Sequence, residues 1–245
     1  MSADSKKDSH KSQYAAGIRA GLGTLFSPST SNAPEQHSTS LIVERGAQGA
    51  RIEGRLTSPI ARVPEEVACC PGITIKGRNI RSLAYTTDVA VIRNCNADAI
   101  LAVYPFTGEP IITQALLLAA DIPVFAGVGG GLTTGRRVCT LAGYAELQGA
   151  AGVVMNAPTS NEILSEVVRI TDIPTIITIV NDQVDFRSRM EAGAAIFNVA
   201  AGSQTPALVR KIRAELPDIP LIATGGPTDE SIRETIQAGA NAISW

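Results

Sequence analysis

From residue 70 onward, short apolar segments rich in β-branched residues alternate with amphipathic segments. The apolar segments predict strands at residues 72–75, 99–104, 123–128, 152–156, 174–180, 195–199, 220–224 and 241–245. The amphipathic segments predict helices at residues 110–120, 135–148, 161–171, 185–192, 206–216 and 229–238. Strands that alternate with helices predict an α/β fold with a parallel sheet buried on both faces.

The number of predicted strands favours a (β/α)8 TIM barrel, because eight parallel strands close this barrel. The alternative is an open doubly wound sheet, but the glycine-rich segment that follows the first strand of such sheets is missing. The sequence stops at Trp245, inside the last predicted strand, so the eighth helix is missing or replaced. We expect that the N-terminal helix takes its place, that the sequence is clipped, or that a partner completes the barrel.

The chain before the barrel has a different composition. Residues 1–40 are predicted to be a flexible tail, in which a short amphipathic helix at residues 14–26 precedes a linker rich in Ser, Thr and Pro at residues 27–40. Residues 41–70 show no sustained pattern and are predicted to be an irregular lead-in. Residues 71–245 form the predicted barrel domain.

Composition excludes several classes of protein. The 245 residues carry a formal net charge of −2, so there is no basic excess for binding nucleic acid. Neither a signal peptide nor an apolar segment of the roughly 20 residues that span a bilayer is visible, which predicts a cytoplasmic protein without membrane contact. The 4 cysteines are irregularly spaced, and both histidines, His10 and His37, lie in the tail. We therefore predict no metal site.

The strongest candidate site is the segment ATGGPTDESI, which ends the seventh predicted strand. Catalytic groups of TIM barrels lie at the carboxyl ends of the strands. Thr224 ends this strand, and Gly225 and Gly226 would expose free N–H groups before a helix that includes Thr228. Such a turn predicts a phosphate site. The alternative is a tight turn in which Asp229 caps the helix.

A second glycine-rich loop, GVGGGLTTGRR, enters the helix after the third predicted strand. Gly130 and Gly131 in this loop could also hold an anion through their backbone N–H groups. The loop is not a P-loop, because the lysine of that motif is missing. A flexible loop with a threonine cap explains the same residues.

Three asparagines, Asn156, Asn181 and Asn198, end successive predicted strands. A ring of amides at a barrel mouth would orient a polar substrate, and Asp182 beside it could act as a general base. Any one of these residues could instead be an ordinary helix cap. Their recurrence at adjacent strand ends favours a site.

Two further residues are candidates for proton transfer or covalent chemistry. Glu109 follows the second predicted strand, where it would be an acid near the mouth or simply a first-turn helix residue. Lys76 follows the first predicted strand, so it could be a Schiff-base or phosphate-binding lysine. It could equally be an exposed loop residue.

The segments IFNVAAGS, IPLIATGGPTDESI and AGANAIS resemble the second half of the phosphate-binding, aldolase-type TIM-barrel superfamily, which includes keto-deoxy-phosphogluconate aldolase and the inosine monophosphate dehydrogenase group. The run YPFTGEPIITQALLLAADIPVFAGVGGG is similar to uncharacterised bacterial barrel proteins with the loose label "hydrolase". The resemblance implies the barrel fold and a phosphate site better than it implies a reaction.

The mechanisms of these two groups do not carry over. The Schiff-base lysine of the aldolase ends its sixth strand, where this chain has Asn198. The dehydrogenase group uses a loop cysteine, whereas Cys139 lies in the helix predicted at residues 135–148 and Cys95 is assigned to an earlier helical segment.

The sequence favours an enzyme that acts on a small phosphorylated or carboxylated metabolite as a lyase, isomerase or hydrolase. No cofactor is predicted, although flavin mononucleotide could use the same phosphate site in an oxidoreductase. A non-catalytic sensing or scaffold barrel, docked through its N-terminal helix, is the other alternative. We also expect a homo-oligomer, because the missing helix would expose apolar surface.

Overall fold

The computed structural model describes residues 42–46, 49–53 and 59–245, in two compact units that divide after Arg55. In the first unit, strands β1 (Ile42–Gly46) and β2 (Gly49–Glu53) pair as an antiparallel hairpin. This hairpin lies within the segment predicted to be irregular. The predicted N-terminal helix and its linker lie outside the described residues.

The second unit begins with a 3-10 helix (Glu65–Cys69) and another antiparallel hairpin, formed by β3 (Ile73–Ile75) and β4 (Arg78–Ile80). Eight parallel strands then close into a barrel in which the last strand pairs with the first. These strands are β5 (Ser82–Tyr85), β6 (Ala99–Ala102), β7 (Val124–Gly129), β8 (Gly152–Met155), β9 (Thr175–Ile179), β10 (Ile196–Val199), β11 (Leu221–Thr224) and β12 (Ala242–Ser244). The predicted (β/α)8 barrel is confirmed.

The first barrel strand was predicted in the wrong place. Residues 72–75 belong to the β3–β4 hairpin, and β5 is the true first strand. The error has a physical cause: Ile73 and Ile75 are apolar because they pack against the interior of the barrel from one end. The short β5 carries one large aliphatic residue, Leu83, and so lacks a strand signal of its own.

The described helices lie outside the barrel. They are α1 (Val89–Arg93), α2 (Pro110–Ala119), α3 (Arg136–Leu147), α4 (Asn161–Ile170), α5 (Phe186–Glu191), α6 (Thr205–Glu215) and α7 (Asp229–Gln237). All but α1 were predicted, with ends that differ by at most one residue. Proline at the start of α2 and the caps Ser160 and Asp185 explain why their helices begin where they do. No helix among the described residues is long and apolar enough to span a membrane.

The described part of the lead-in that belongs to the second unit, residues 59–70, covers the outer position that an eighth helix would take. Its 3-10 helix packs against α7, where Glu66 and Arg233 form an ion pair of 2.9 Å. Its earlier part reaches the turn after α1, where the N–H groups of Ile60 and Ala61 donate to the carbonyl oxygen of Asn94. The segment therefore spans the outer side of β12 and β5 with residues that precede the barrel.

Two apolar layers hold this architecture together. Side chains from all eight strands fill the barrel interior, among them Leu83, Phe125 and Ile176, which are completely buried. A larger cluster, which includes Phe197, Val209 and Ile243, fills the space between the strands and the helices. Successive residues of a strand point to opposite faces, so this division identifies which residues face the barrel axis.

Candidate ligand site at the barrel mouth

The carboxyl ends of the strands carry neutral polar side chains that face the barrel axis. Val154, Ile176, Ile196, Ile222 and Ala242 belong to the interior cluster. The residues two positions further along each strand also face inward, because side-chain direction repeats every second residue. They are Asn156, Thr178, Asn198, Thr224 and Ser244, which we call the polar ring. This end of the barrel, the mouth, is the end at which TIM barrels bind their ligands.

Asn198 is the residue of the polar ring that most clearly indicates a ligand. Its side chain is 6% exposed, and its Nδ2 donates to Oγ1 of Thr178 at 3.2 Å. Its Oδ1 is buried and has no hydrogen-bond partner among the described residues. Turning the amide over would leave Nδ2 unpartnered instead, so one polar atom stays unpaired either way. A buried unpaired polar atom costs about 1–3 kcal/mol, which a bound ligand would recover.

Thr224 and Ser244 continue the polar ring on the neighbouring strands β11 and β12. Their hydroxyl oxygens lie 3.4 Å apart, and Ser244 is buried whereas Thr224 is exposed. The sequence identified Thr224 but missed Ser244 and Thr178. The residue types alone could not find them, because strands buried on both faces show no alternation of polar and apolar positions.

The Gly-Gly turn after β11 is required for packing, independently of any ligand that binds there. A Cβ atom at Gly225 would lie 2.8 Å from Ile243 and 2.9 Å from Ile232, so only glycine fits there. The N–H of Gly225 donates to the carbonyl oxygen of Ser244 at 3.1 Å. Gly226 has a φ of +85°, which favours glycine. The predicted anion site therefore has the N–H of Gly226, but not that of Gly225, available to a ligand.

The N-terminus of α7 is already capped and negatively charged. Thr228 and Ser231 form a capping box, in which the hydroxyl of Thr228 accepts from the N–H of Ser231 at 3.2 Å. Asp229 and Glu230 lie in the first turn, where their charges interact favourably with the helix dipole. A doubly charged phosphate would be repelled by these two carboxylates, so a singly charged carboxylate suits this turn better.

A small pocket lies on the other side of the mouth, between the ends of β6, β7 and β8. Its volume is about 20 Å³, which is comparable with the space of one water molecule. Tyr104, Phe106, Thr133 and Asn156 line it, together with backbone at residues 127–130. A larger ligand would have to displace one of these loops to enter.

The glycine loop after β7 packs directly on the polar ring. Gly130 has a φ of +96°, and a Cβ atom there would lie 2.3 Å from Cβ of Asn156. Its N–H donates to the carbonyl oxygen of Thr133 at 2.9 Å, which closes the loop on itself. Gly131 also has a positive φ, of +64°, but no atom lies within 4 Å of a Cβ built there. A side chain at position 130 would therefore displace Asn156, whereas a side chain at position 131 would meet no neighbour.

Of the three predicted chemical groups, Glu109 and Asp182 follow strand ends at the mouth, whereas Lys76 does not. Glu109 precedes α2, its side chain is exposed, and its backbone N–H donates to the hydroxyl of Tyr104 at 3.0 Å. Lys76 lies on the β3–β4 turn with a φ of 49°. The N–H of Gly72 at the start of that hairpin donates to the carbonyl oxygen of Asn241, directly before β12. Lys76 is therefore at the amino-terminal end of the barrel, away from the other predicted residues.

Asn181 and Asp182 follow β9, and the contacts of both side chains are with residues outside the polar ring, Gln183 and Lys211. Oδ1 of Asn181 accepts from the N–H of Gln183 at 3.1 Å in a local turn. Oδ2 of Asp182 lies 2.8 Å from Nζ of Lys211 on the outer helix α6. The hydrogen bond and charge of Lys211 lower the pKa of Asp182, which makes this carboxylate a weak general base.

The cysteines offer no nucleophile at the mouth. Burial, with a smaller contribution from Cys69, raises the pKa of Cys70 in the lead-in to about 11. Burial also raises the pKa of Cys139 on α3, and the neighbouring Glu166 adds to this increase. Within residues 59–245, no three His, Cys, Asp or Glu side chains lie close enough together to hold a metal ion.

The chain matches neither a protein-family model nor a curated protein sequence. It is similar to several solved structures, among them phosphoenolpyruvate phosphomutase from Streptomyces platensis subsp. rosaceus, with 14% identity, a TM-score of 0.56 and coverage of 68% of this chain and 76% of that chain. Phosphonopyruvate hydrolase matches with 14% identity, a TM-score of 0.53 and coverage of 70% and 76%. A 2,3-dimethylmalate lyase, described as a PEP mutase/isocitrate lyase superfamily member, matches with 13% identity, a TM-score of 0.53 and coverage of 68% and 73%.

The chain is a (β/α)8 barrel. At these identities the likeness shows the fold and nothing finer, because this fold hosts many unrelated reactions. The predicted membership of the TIM-barrel group therefore agrees with the matches at the level of architecture. The aldolase and dehydrogenase resemblances remain predictions from the sequence segments that carry them.

Proposed function

We propose that this barrel is an enzyme that acts on a small carboxylated or phosphorylated metabolite bound at the mouth. The observation that carries the proposal is the polar ring, in which one buried amide atom of Asn198 has no hydrogen-bond partner among the described residues. With the amide turned over, this atom is Nδ2, which would donate to an anion. The five residues of the ring include no carboxylate, so nothing at the axis would repel an anion. Hydroxyl and amide groups can donate hydrogen bonds to a carboxylate from several directions.

The acid group of the metabolite would bind beside the Gly-Gly turn. The N–H of Gly226 and the hydroxyls of Thr224 and Ser244 are the donors of this part of the mouth. A carboxylate is favoured over a phosphate here because of the two carboxylates in the first turn of α7. Asn156 and Asn198 would orient the rest of the molecule.

Glu109 would transfer the proton. Because Tyr104 accepts a hydrogen bond from the backbone of Glu109, the hydroxyl proton of Tyr104 is available to a ligand in the adjoining pocket. This pair supports lysis, isomerisation or hydrolysis. The names of the similar structures, a phosphomutase, a hydrolase and a lyase, belong to the same range of chemistry but describe those proteins.

The test is a thermal-shift and turnover screen of the purified chain against phosphonopyruvate, 2,3-dimethylmalate, other keto and hydroxy acids, inorganic phosphate and flavin mononucleotide. A ligand at 100 times its dissociation constant stabilises the folded state by about 2.7 kcal/mol. Asn198→Ala should weaken binding about tenfold, whereas Asn181→Ala, with its local turn contact, should bind like wild type. Equal binding by wild type and Asn198→Ala would contradict the proposal.

A second variant separates catalysis from binding. Glu109→Gln should lower turnover by about 10²-fold or more while the acid still binds. Asp182→Asn is the matched control, because its carboxylate pairs with Lys211 outside the barrel, and it should keep full turnover.

A ligand-sensing barrel without catalysis is the second candidate. The observation that favours it is that no lysine, histidine or carboxylate occupies the polar ring. It predicts stabilisation by an acid that depends on Asn198, with no turnover of any compound in the screen. Such an outcome would favour the sensor over the enzyme and would still support a ligand site at the mouth.

A further inference from the structure

Large apolar side chains stand exposed around the mouth. Phe106, in the loop after β6, and Leu132, in the loop after β7, are each 73% exposed. Val180 directly follows β9 and is 40% exposed, and Tyr85 at the end of β5 is 55% exposed. We call these four residues the apolar rim. Single exposed apolar residues are ordinary, but these four lie at or beyond the carboxyl ends of four strands, at the end of the barrel where ligands bind.

The apolar rim lies directly next to the polar ring. Val180 is two residues beyond Thr178, and Tyr85 is two residues beyond Leu83 of the interior cluster, so both face the axis. Phe106 lines the same small pocket as Asn156. A molecule that enters the mouth therefore passes the apolar rim before its leading end reaches the polar ring.

We infer that the ligand of the mouth is amphipathic, with an acid head at the polar ring and a branched or aromatic group against Phe106 and Leu132. This inference rests on the proposed function, since it assumes that the head is an acid. Asn198 requires a polar head, because its unpaired amide atom is buried below the rim. The rim requires an apolar remainder, because Phe106 and Leu132 expose most of their surface. The class of compound that combines both is a small carboxylic acid with a branched or aromatic side chain.

The size of the pocket limits where the apolar group can bind. At about 20 Å³ the pocket cannot hold an aromatic ring, so we place the apolar group of the ligand outside it, against the exposed side chain of Phe106. The affinity should then depend on apolar contact with Phe106, at about fourfold for each methylene group that the contact buries.

The test compares three 2-oxo acids that share one head: pyruvate, 4-methyl-2-oxopentanoate and phenylpyruvate. Their dissociation constants for the full chain are measured by titration calorimetry. We expect affinity to rise in this order, with phenylpyruvate at least tenfold tighter than pyruvate. Equal affinity for pyruvate and phenylpyruvate would overturn the inference and leave the proposed function standing.

Variants of the rim locate the effect. Phe106→Ser combined with Leu132→Ser should remove most of the gain for phenylpyruvate and change the affinity for pyruvate less than twofold. Leu147→Ser is the matched control, because Leu147 is 85% exposed on the outer helix α3, and it should leave both affinities unchanged. A gain that survives in the double variant would overturn the inference.

A neutral probe separates the two parts of the argument. If 3-phenylpropanol binds in a manner that depends on Phe106 while no acid binds, the apolar rim is correct and the acid head of the proposed function is wrong. If neither the acids nor the neutral probe bind, both are overturned, and the exposed rim is then to be tested as a surface for a macromolecule.

Discussion

The two ends of this barrel differ in whether the chain itself covers the interior cluster. At the amino-terminal end, the β3–β4 hairpin inserts Ile73 and Ile75 against the interior cluster and closes the barrel. At the carboxyl end, no such hairpin is present among the described residues, and Asn198 keeps an unpaired amide atom. The closed end is built for stability, whereas the mouth retains hydrogen-bonding capacity that a ligand can use.

Two polar side chains at the closed end, those of Asp98 and Arg213, make their hydrogen bonds within the chain. Oδ2 of Asp98 accepts from the backbone N–H groups of Arg81 and Ser82 at 2.8 and 3.0 Å, and from the hydroxyl of Ser82 at 2.9 Å. The guanidinium of Arg213 donates to three carbonyl oxygens, those of Pro217, Ile219 and Gly239, and to Oδ1 of Asn241. When the hydrogen bonds of a polar group are all made within the chain, the group stabilises the fold and has no hydrogen bond left to offer a ligand.

The largest expected effect concerns Arg213. Arg213→Met removes four hydrogen bonds that join the turns before β11 and β12, and should lower the free energy of unfolding by about 3 kcal/mol in urea denaturation. Arg210→Met is the matched control on the same helix, because Arg210 forms an exposed ion pair with Glu234 worth less than about 1 kcal/mol. Similar losses in the two variants would contradict the comparison.

Asp98 should have the next largest effect. Asp98→Ala leaves the N–H groups of Arg81 and Ser82 without their acceptor and should lower the free energy of unfolding by about 2 kcal/mol. Ligand affinity of the folded variant should stay unchanged, since the residue is at the end opposite the mouth. Asp121→Ala is the control, because its carboxylate forms only an exposed ion pair of 3.3 Å with Arg93. A loss of affinity in Asp98→Ala would show that the two ends are coupled.

Variants of the glycine loop test whether this loop positions Asn156 at the mouth. Gly130→Ala and Gly131→Ala both place a side chain at a positive φ, which costs about 1 kcal/mol each. Only Gly130→Ala also pushes against Asn156, so it should lose about 1 kcal/mol more in thermal unfolding. It should also weaken binding of the acid identified in the screen, whereas Gly131→Ala should bind normally. Equal behaviour of the two variants would mean that the loop does not position Asn156.

The smallest expected effect concerns Asp182. Lys211 lowers the pKa of Asp182 in the folded state below its unfolded value, so the pair stabilises the fold at neutral pH. This stabilisation disappears as the pH falls through the lowered pKa. The difference in unfolding free energy between wild type and Asp182→Asn should therefore be small. It should begin to shrink near the ordinary pKa of Asp, about 3.9, and vanish once the pH is below the lowered pKa. Lys211→Met should behave in the same way, and a difference that grows in acid would contradict the assignment.

Sequence periodicity was most informative where an element carries its own signal. The six predicted helices have matching counterparts because their amphipathic patterns and caps are local properties. The strand β5 and the short helix α1 were missed because each depends on contacts with distant residues. The hairpin before them was mistaken for a barrel strand because residues that plug a barrel are as apolar as residues that form its wall.

The predicted site residues fall into two groups in the structure. Asn156, Asn198 and Thr224 lie in the polar ring, whereas Asn181 and Asp182, also at a strand end, have their contacts with Gln183 and Lys211. A shift of one residue along a strand reverses the direction of a side chain. Their binding roles remain predictions.

Short-range periodicity in the sequence is sufficient to predict the alternation of strands and helices, and with it the parallel barrel. The folded structure was needed to show which strand closes the barrel, which residues cover the position of the eighth helix and which polar side chains meet at the axis. Strands buried on both faces carry no alternation of polar and apolar residues, so their inward positions are fixed only when all eight strands pair.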